Sequence, residues 1–227
     1  MLKWLRLLDE LIAPRGVKCL CCVEWTHGEL LCPDCKRSLE ALMLPPEESL
    51  QGDACSVCQY DGVAKQLVLL LKEDCCASAA EALAEIMVDG LERLQLPQNT
   101  VITWVTMPEI RRRSRGIDHG RELCEALSHR CGLPVRQLLT RTGRVHTQRG
   151  LSREKRLRNL NGTFLCSEKL DCPVLLVDDV FTTGATSSTC ADALLAAGAQ
   201  RVYVLTAARA RGLQKRFEFR KADLYGF

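Results

Sequence analysis

Two adjacent aspartates follow a short apolar stretch in the last third of the chain. Val174–Val177 are all apolar, which is typical of a strand buried in the middle of a parallel sheet, and Asp178 and Asp179 come next. Open α/β sheets bind ligands beyond the carboxyl ends of their strands. We therefore expect both carboxylates to lie at a ligand-binding edge, where they can accept hydrogen bonds from the hydroxyl groups of a polyol.

The loop after the aspartates has the composition of a phosphate-binding loop. It leads into a predicted helix, whose N-terminal N–H groups and dipole attract anions. Gly184 lets a ligand approach the backbone closely, and the loop carries the hydroxyl groups of Thr182, Thr183 and Thr186. Ribose 5-phosphate contains both a polyol and a phosphate and would use all of these groups. The structural alternative is an acidic strand end followed by a threonine that caps a helix.

Positive charge is concentrated in the middle of the chain. Residues 1–100 have a net charge of −7, residues 101–160 of +9 and residues 161–227 of +1. Four arginines follow a predicted strand that ends near residue 107: Arg111, Arg112, Arg113 and Arg115. They can bind a pyrophosphate, form a solvated surface or contact a nucleic-acid backbone. Because residues 111–158 contain no aromatic side chain, recognition of single-stranded DNA by base stacking is disfavoured, but phosphate contacts stay open.

Four of the 14 cysteines have the spacing of a zinc site. Cys19 and Cys22 form one Cys-x-x-Cys pair and Cys32 and Cys35 form another, a pattern typical of tetrahedral Cys₄ zinc. Cys21 could replace one of them, and unrelated thiols are the alternative. We see no secretory signal and expect a reducing cytoplasmic location, where thiols and metal sites outnumber disulfides. A third pair, Cys55 and Cys58, lies in a predicted strand and is expected to be structural.

The elements that must position these residues alternate along the chain. We predict strands at 54–60, 100–107, 135–139, 174–177 and 201–207, and helices at 62–72, 78–94, 118–130 and 186–197. This order predicts an α/β fold with a mostly parallel sheet covered by helices on both faces. An amphipathic helix is expected over residues 2–12, and no apolar stretch is long enough to span a membrane. We expect two domains, an N-terminal helix with a zinc module over 1–47 and the α/β domain over 48–227.

Residues 174–186 closely resemble the phosphoribosyl pyrophosphate (PRPP) motif of type I phosphoribosyltransferases. The resemblance implies that fold, with Asp178 and Asp179 on the ribose 2′ and 3′ hydroxyls. It implies a loop around the 5′-phosphate formed by Phe181, Thr182, Thr183, Gly184, Ala185 and Thr186. It also implies Mg²⁺ carried mainly by the pyrophosphate. The four arginines stand where such enzymes have their pyrophosphate loop.

The rest of the chain is similar to the ComF family, phosphoribosyltransferase-like proteins linked to natural competence and DNA uptake. The family's Arg-Gly-Phe-Asn-Gln appears as Arg115-Gly116-Ile117-Asp118-His119, and its Lys-Phe as Lys72-Glu73. A further match runs from Gln148 to Asn159, and paired N-terminal cysteines that bind one structural zinc are common in such proteins.

The resemblance leaves two hypotheses for function. One is an enzyme that transfers phosphoribosyl from PRPP to an unidentified acceptor. The other is a non-catalytic PRPP-sensing or DNA-handling module that acts through competence proteins and single-stranded DNA. The oligomeric state stays open.

Overall fold

The computed structural model describes residues 18–74, 76–107, 118–141 and 163–210. Three of the sequence-based predictions concern residues outside these ranges. They are the helix over residues 2–12, the four arginines at 111–113 and 115, and the ComF-like segment from Gln148 to Asn159.

The described residues form one large sheet and one small one. The strands are β1 (Leu50–Gln51), β2 (Ala54–Gln59), β3 (Val101–Trp104), β4 (Thr140–Arg141), β5 (Phe164–Leu165), β6 (Val174–Phe181) and β7 (Val202–Arg209). In the large sheet the order is β1-β2-β7-β6-β3, and β2, β7, β6 and β3 run parallel to one another. The short β1 is antiparallel to β2, and β4 pairs with β5 in the small sheet.

Helices cover both faces of the large sheet. They are α1 (Pro33–Glu40), α2 (Pro46–Ser49), α3 (Gly62–Glu73), α4 (Ala77–Leu94), α5 (His119–Cys131) and α6 (Ala185–Ala196). On one face, α4 packs on β2 and β7, α5 packs on β3 and β6, and α3 packs against α4. On the other face, α6 contacts β5, β6 and β7.

Successive residues of β6 belong to two separate hydrophobic clusters. Leu175 and Val177 pack with the helices α3, α4 and α5, whereas Val174 and Leu176 pack with α6. Because side chains alternate across a strand, a strand buried on both faces must be apolar at every position. The prediction of a parallel sheet with helices on both faces is confirmed.

All five predicted strands differ from their predicted bounds, and β3, for example, ends at Trp104 rather than at residue 107. The predicted strand at 135–139 is reduced to a bridge between Val135 and Ile102. The N–H of Leu138 donates to the hydroxyl of Thr103 at 3.3 Å, so a side chain takes the place of a backbone carbonyl and the pairing ends. β6 extends to Phe181 rather than ending at residue 177, so Asp178 and Asp179 lie in the second half of the strand.

The cysteine-rich segment before α2 packs directly on the α/β core. Residues 42–44 run along the outer edge of β2, with the N–H of Leu44 donating to the carbonyl of Val57 and Met43 bridging to Cys58. The buried Leu39 of α1 belongs to the same cluster as the buried side chains of α3 and α4. A domain boundary near residue 47 stays a prediction.

The packing of α4 on the sheet depends on Gly90. A Cβ at this position would lie 2.5 Å from Cδ1 of Leu205 and 3.0 Å from Cγ2 of Val57, and both side chains are fully buried. Gly90→Ala gains about 1 kcal/mol of helix propensity, but overpacking of this kind costs about 1–3 kcal/mol. We expect a net loss of about 1 kcal/mol in urea denaturation. The exposed Glu92→Ala on the same helix should change stability by less than about 0.5 kcal/mol, and a stabilised Gly90→Ala protein would contradict the close contact.

Candidate functional site

The acidic pair lies at the carboxyl end of β6, with β3 and β7 beside it. Asp179 is buried, with 5% of its surface exposed, and Asp178 is half-buried. As neighbours on one strand they point to opposite faces of the sheet. Asp179 is on the face that carries α3 and α5, and this position determines its partners.

Each carboxylate oxygen of Asp179 has a basic partner. The Nζ of Lys72, in the last turn of α3, lies 2.6 Å from Oδ1, and the Nε2 of His119 lies 3.3 Å from Oδ2. The hydrogen bond with His119 requires a proton on Nε2. Asp179 is therefore held from two sides by residues that come from different helices.

The start of α5 is built to place His119. Asp118 caps this helix, since its Oδ1 accepts from the N–H of Gly120 at 3.2 Å and from that of Arg121. Its Oδ2 accepts from the indole Nε1 of Trp104 at 3.0 Å, which ties the helix start to the end of β3. Gly120 permits the contact, because a Cβ there would lie 2.8 Å from the Trp104 ring. The segment Asp118–Gly120, whose first two residues stand where the ComF motif has Asn-Gln, thus has a structural explanation.

The two carboxyls titrate in opposite directions. Burial, and then the neighbouring charge of Asp179, raise the pKa of Asp178 to about 7. Burial also acts to raise the pKa of Asp179, but the hydrogen bond from His119 and the charge and hydrogen bond of Lys72 outweigh it and hold that pKa below its usual range. At neutral pH the pair combines a fixed carboxylate with a carboxyl group that exchanges its proton.

Two buried polar atoms at this edge have no hydrogen-bond partner among the described residues. They are the Nδ1 of His119 and the hydroxyl oxygen of Thr106, which follows β3. Buried polar atoms are normally paired. These two are therefore available to a ligand or a water molecule.

The predicted phosphate loop connects β6 to α6. Phe181 is the last residue of β6, Thr182 to Gly184 form the turn, and Ala185 begins α6. Gly184 has φ 73°, in the left-handed region that favours glycine, and as the N-cap it offers no side-chain acceptor to the helix. The hydroxyl of Thr183 accepts from the N–H of Ala185 at 3.4 Å. The arrangement leaves the first turn of α6 open to an anion.

The four predicted zinc ligands are brought together by the fold. The sulfur atoms of Cys19, Cys22, Cys32 and Cys35 all lie within 4.8 Å of one another. Four thiolates around one zinc ion stand about 3.8 Å apart, given Zn–S bonds of about 2.3 Å, so the cluster could bind one zinc ion. Burial acts to raise the pKa of Cys19, but N–H groups of Cys22, Cys32 and Cys21 lower it to about 6.

The third cysteine pair is separate from this cluster. Cys58 donates to the carbonyl of Ala207 at 3.1 Å, and Cys55 lies 3.1 Å from the hydroxyl of Ser49. Both are buried in β2, and burial is the largest influence that raises the pKa of each thiol. They are structural residues within the described part of the chain.

Sequence reasoning missed Lys72 and His119 as members of the site. Both stand in segments that resemble the ComF family. Glu73, next to Lys72, differs from the family's phenylalanine, and His119 differs from the family's glutamine. The available signal was the family's lysine after the first core helix, which is retained here. The arginines at 111–113 and 115 lie between Met107 and Asp118, outside the described residues.

Relatives of known name share most of the chain's length. The DNA utilization protein YhgH of Salmonella typhimurium is 31% identical over 218 residues, which cover 88% of this chain and 93% of the relative. Its namesake in Escherichia coli K12 is 30% identical over 219 residues. The Competence protein F of Haemophilus influenzae is 34% identical over 123 residues, covering 52% of this chain and 53% of the relative. No protein-family model matches the chain.

Solved structures that align with the chain include a PRPP amidotransferase and an adenine phosphoribosyltransferase. The glutamine PRPP amidotransferase of B. subtilis, complexed with ADP and GMP, aligns with a TM-score of 0.38 and 20% identity over 58% of this chain and 26% of that one. The adenine phosphoribosyltransferase of Leishmania tarentolae aligns with a TM-score of 0.37 and 11% identity over 63% of this chain and 75% of that one. The strand order and the helices on both faces of the sheet define the fold.

Fold and site together define an α/β protein with a mostly parallel sheet covered by helices on both faces and an N-terminal cluster of four cysteines. Within that class the chain belongs to the ComF-like family of the DNA utilization protein YhgH. The family resemblance seen in the sequence is thereby confirmed. Among the described residues, every helix is too short or too polar to cross a bilayer.

The cysteine cluster predicts the metal content of the protein. Freshly reduced protein should contain close to one Zn²⁺ per chain, because the four sulfurs form a single cluster with the ligand number of a tetrahedral zinc site. Replacing Cys32 and Cys35 by serine should remove it, whereas replacing Cys55 and Cys58 by serine should leave it in place. Metal analysis of the three proteins makes the comparison, and zinc that persists in the first variant would contradict the ligand set.

The raised pKa of Asp178 predicts how stability depends on pH. The folded state holds this proton up to about pH 7, whereas the unfolded chain releases it near 3.8. The stabilising contribution of the protonated group is therefore present at low pH and is lost as pH rises toward and through about 7. Because asparagine does not ionise, Asp178→Asn should not lose this stability as the pH rises.

The free energy of unfolding of Asp178→Asn, relative to that of the wild type, should therefore increase by about 1–3 kcal/mol from pH 5 to pH 8. Urea denaturation at both pH values measures the gain. The exposed Asp171→Asn, before β6, serves as control. A stability difference that is the same at both pH values would mean that Asp178 does not titrate in this range.

Proposed function

We propose that this protein binds PRPP together with Mg²⁺ and transfers its phosphoribosyl group to an acceptor. The observation that carries the proposal is the sequence of groups along β6 and α6. An acidic pair near a strand end, with Asp179 buried and Asp178 half-buried, leads within a few residues to the open N-terminus of a helix. These groups match the hydroxyls and the phosphate of a ribose 5-phosphate unit in kind and in order.

Each part of the ligand has a group suited to it. Asp178 and Asp179 accept from the 2′ and 3′ hydroxyls, and the 5′-phosphate occupies the turn from Thr182 to the first turn of α6. Mg²⁺ arrives on the pyrophosphate, as expected of an ion that keeps its water and prefers phosphate oxygens. The arginines at 111–113 and 115 bind that pyrophosphate.

The transfer needs little chemistry from the side chains themselves. The bond between C1 of the ribose and the pyrophosphate oxygen breaks, C1 gains positive character, and the acceptor forms the new bond and loses a proton. Cations around the pyrophosphate stabilise it as it leaves. The held carboxylate of Asp179 keeps the ribose in place while C1 moves from one group to the other.

A DNA-handling role is the second candidate, and two observations favour it. The relatives are named for DNA utilization and competence, and residues 101–160 carry a net charge of +9. In this role the PRPP site serves as a sensor, and the protein works through competence proteins and single-stranded DNA. The reduced four-cysteine cluster suits a cytoplasmic location in either case.

Replacement of Asp178, whose carboxyl group exchanges its proton near neutral pH, tests PRPP binding. Asp178→Ala removes an acceptor for a ribose hydroxyl but leaves Lys72, Asp179 and His119 in place. We expect PRPP to bind about ten- to a hundredfold more weakly in the presence of Mg²⁺, the usual cost of a hydrogen bond to a charged group. Isothermal calorimetry measures the change.

Asp171→Ala, an exposed position outside the site, should bind PRPP as the wild type does. A single-stranded oligonucleotide titrated at two salt concentrations separates the two candidate functions, since backbone contacts weaken steeply with salt. Unchanged PRPP affinity in Asp178→Ala would remove the enzyme proposal. Salt-dependent DNA binding by a protein that does not bind PRPP would establish the DNA-handling role.

A further inference from the structure

Lys72 is the only described residue that pairs an ammonium group with the acidic site. It lies 2.6 Å from Asp179, with 28% of its side chain exposed against 6% for Asp179. A carboxylate this deeply buried is ionised only when an opposite charge compensates for the lost water. The hydrogen bond from His119 and the ammonium charge of Lys72 both lower the pKa of Asp179.

The position of Lys72 is determined by the helix that carries it. The α3 residues Leu67, Val68 and Leu71 are fully buried against the sheet and its helices, so the end of α3 has little freedom. Lys72 stands in the last turn, where the helix dipole favours a cation. In the first half of α3, Gln66 donates to the carbonyl of Cys21 at 2.7 Å, which connects this helix to the cysteine-rich segment.

The two contacts use only some of the hydrogen-bond acceptor positions of this carboxylate. A carboxylate has about four lone-pair positions on its two oxygens, and Lys72 and His119 use one on each oxygen. The others can accept from ribose hydroxyls without releasing either partner. Asp179 is thus already ionised and oriented before a ligand arrives, which lowers the cost of binding.

We propose that Lys72 is a positioning residue of the ribose site, which acts by keeping Asp179 ionised and oriented toward the hydroxyls of a ribose 5-phosphate unit. This inference rests on the proposed function. It assigns to Lys72 an effect on hydroxyl recognition rather than a contact with phosphate. The groups that interact with Asp179 among the described residues are Lys72 from α3, His119 from α5 and Asp178 from β6 itself.

The test compares Lys72→Met with Lys72→Arg and with Lys65→Met, an exposed lysine on the same helix. The probes are ribose 5-phosphate and 2-deoxyribose 5-phosphate, titrated by calorimetry into the full chain. We expect Lys72→Met to bind ribose 5-phosphate about tenfold or more weakly near neutral pH, Lys72→Arg to recover most of the loss, and Lys65→Met to match the wild type.

Two readouts separate positioning from a direct contact with phosphate. Lys72→Met should lose much of the preference for ribose over deoxyribose, because the affected carboxylate binds hydroxyls. The ratio of wild-type to variant affinity should also shrink as pH rises from about 6 to about 9, since Asp179 regains its charge at high pH. Phosphate ionisation is the same in both proteins and cancels in this ratio. A loss that is equal for both sugars and constant with pH would overturn the positioning role.

A measurement on the wild type covers the case in which Lys72→Met does not fold. Carbon-13 NMR of the Asp179 carboxyl should show a pKa below the ordinary aspartate value of 3.8, and a pKa raised above that ordinary value would overturn the proposal. A wild type that binds neither sugar phosphate nor PRPP would refute the proposed function, whereas normal binding by Lys72→Met would refute the role of Lys72 alone.

Discussion

The site depends on one buried charge. Asp179 is the only described carboxylate buried this deeply, with 5% of its surface exposed, and its ionised form requires Lys72 and His119 at their observed distances. That requirement constrains three separate elements. The end of α3, the start of α5 and the last part of β6 must converge at one edge of the sheet. The Asp118 cap, the contact of Gly120 with Trp104 and the packing of α3 all serve this convergence.

Much of the fold could be predicted from the sequence, because its signals are local. Val174–Val177 are apolar throughout, as a strand covered on both faces must be, and the helices α4 and α5 follow a clear helical period. The segment at 135–139 looked like a strand from its composition, but it lost its ladder when the hydroxyl of Thr103 took the N–H of Leu138. Such a competition between a side chain and the backbone is invisible in a one-dimensional pattern.

The site was predictable only in part, for a related reason. The acidic pair and the loop after it are contiguous in the chain, so their pattern could be read directly. Lys72 and His119 reach Asp179 from positions far away in sequence, and nothing local marks either as the partner of a buried carboxylate. The difference between the two aspartates was equally hidden. Adjacent identical residues on a strand face different neighbours, and only the neighbours determine which one holds its proton.

The way the cysteine-rich segment covers β2 has a consequence for self-association. Residues 42–44 and β1 both pair along the outer edge of β2, and Val135 bridges to the outer edge of β3. Exposed strand edges are where a foreign strand can extend a sheet, and native proteins protect them. In the described part of the chain both edges are occupied by the chain's own backbone. In this part of the chain, a foreign strand could extend the large sheet only by displacing one of these segments.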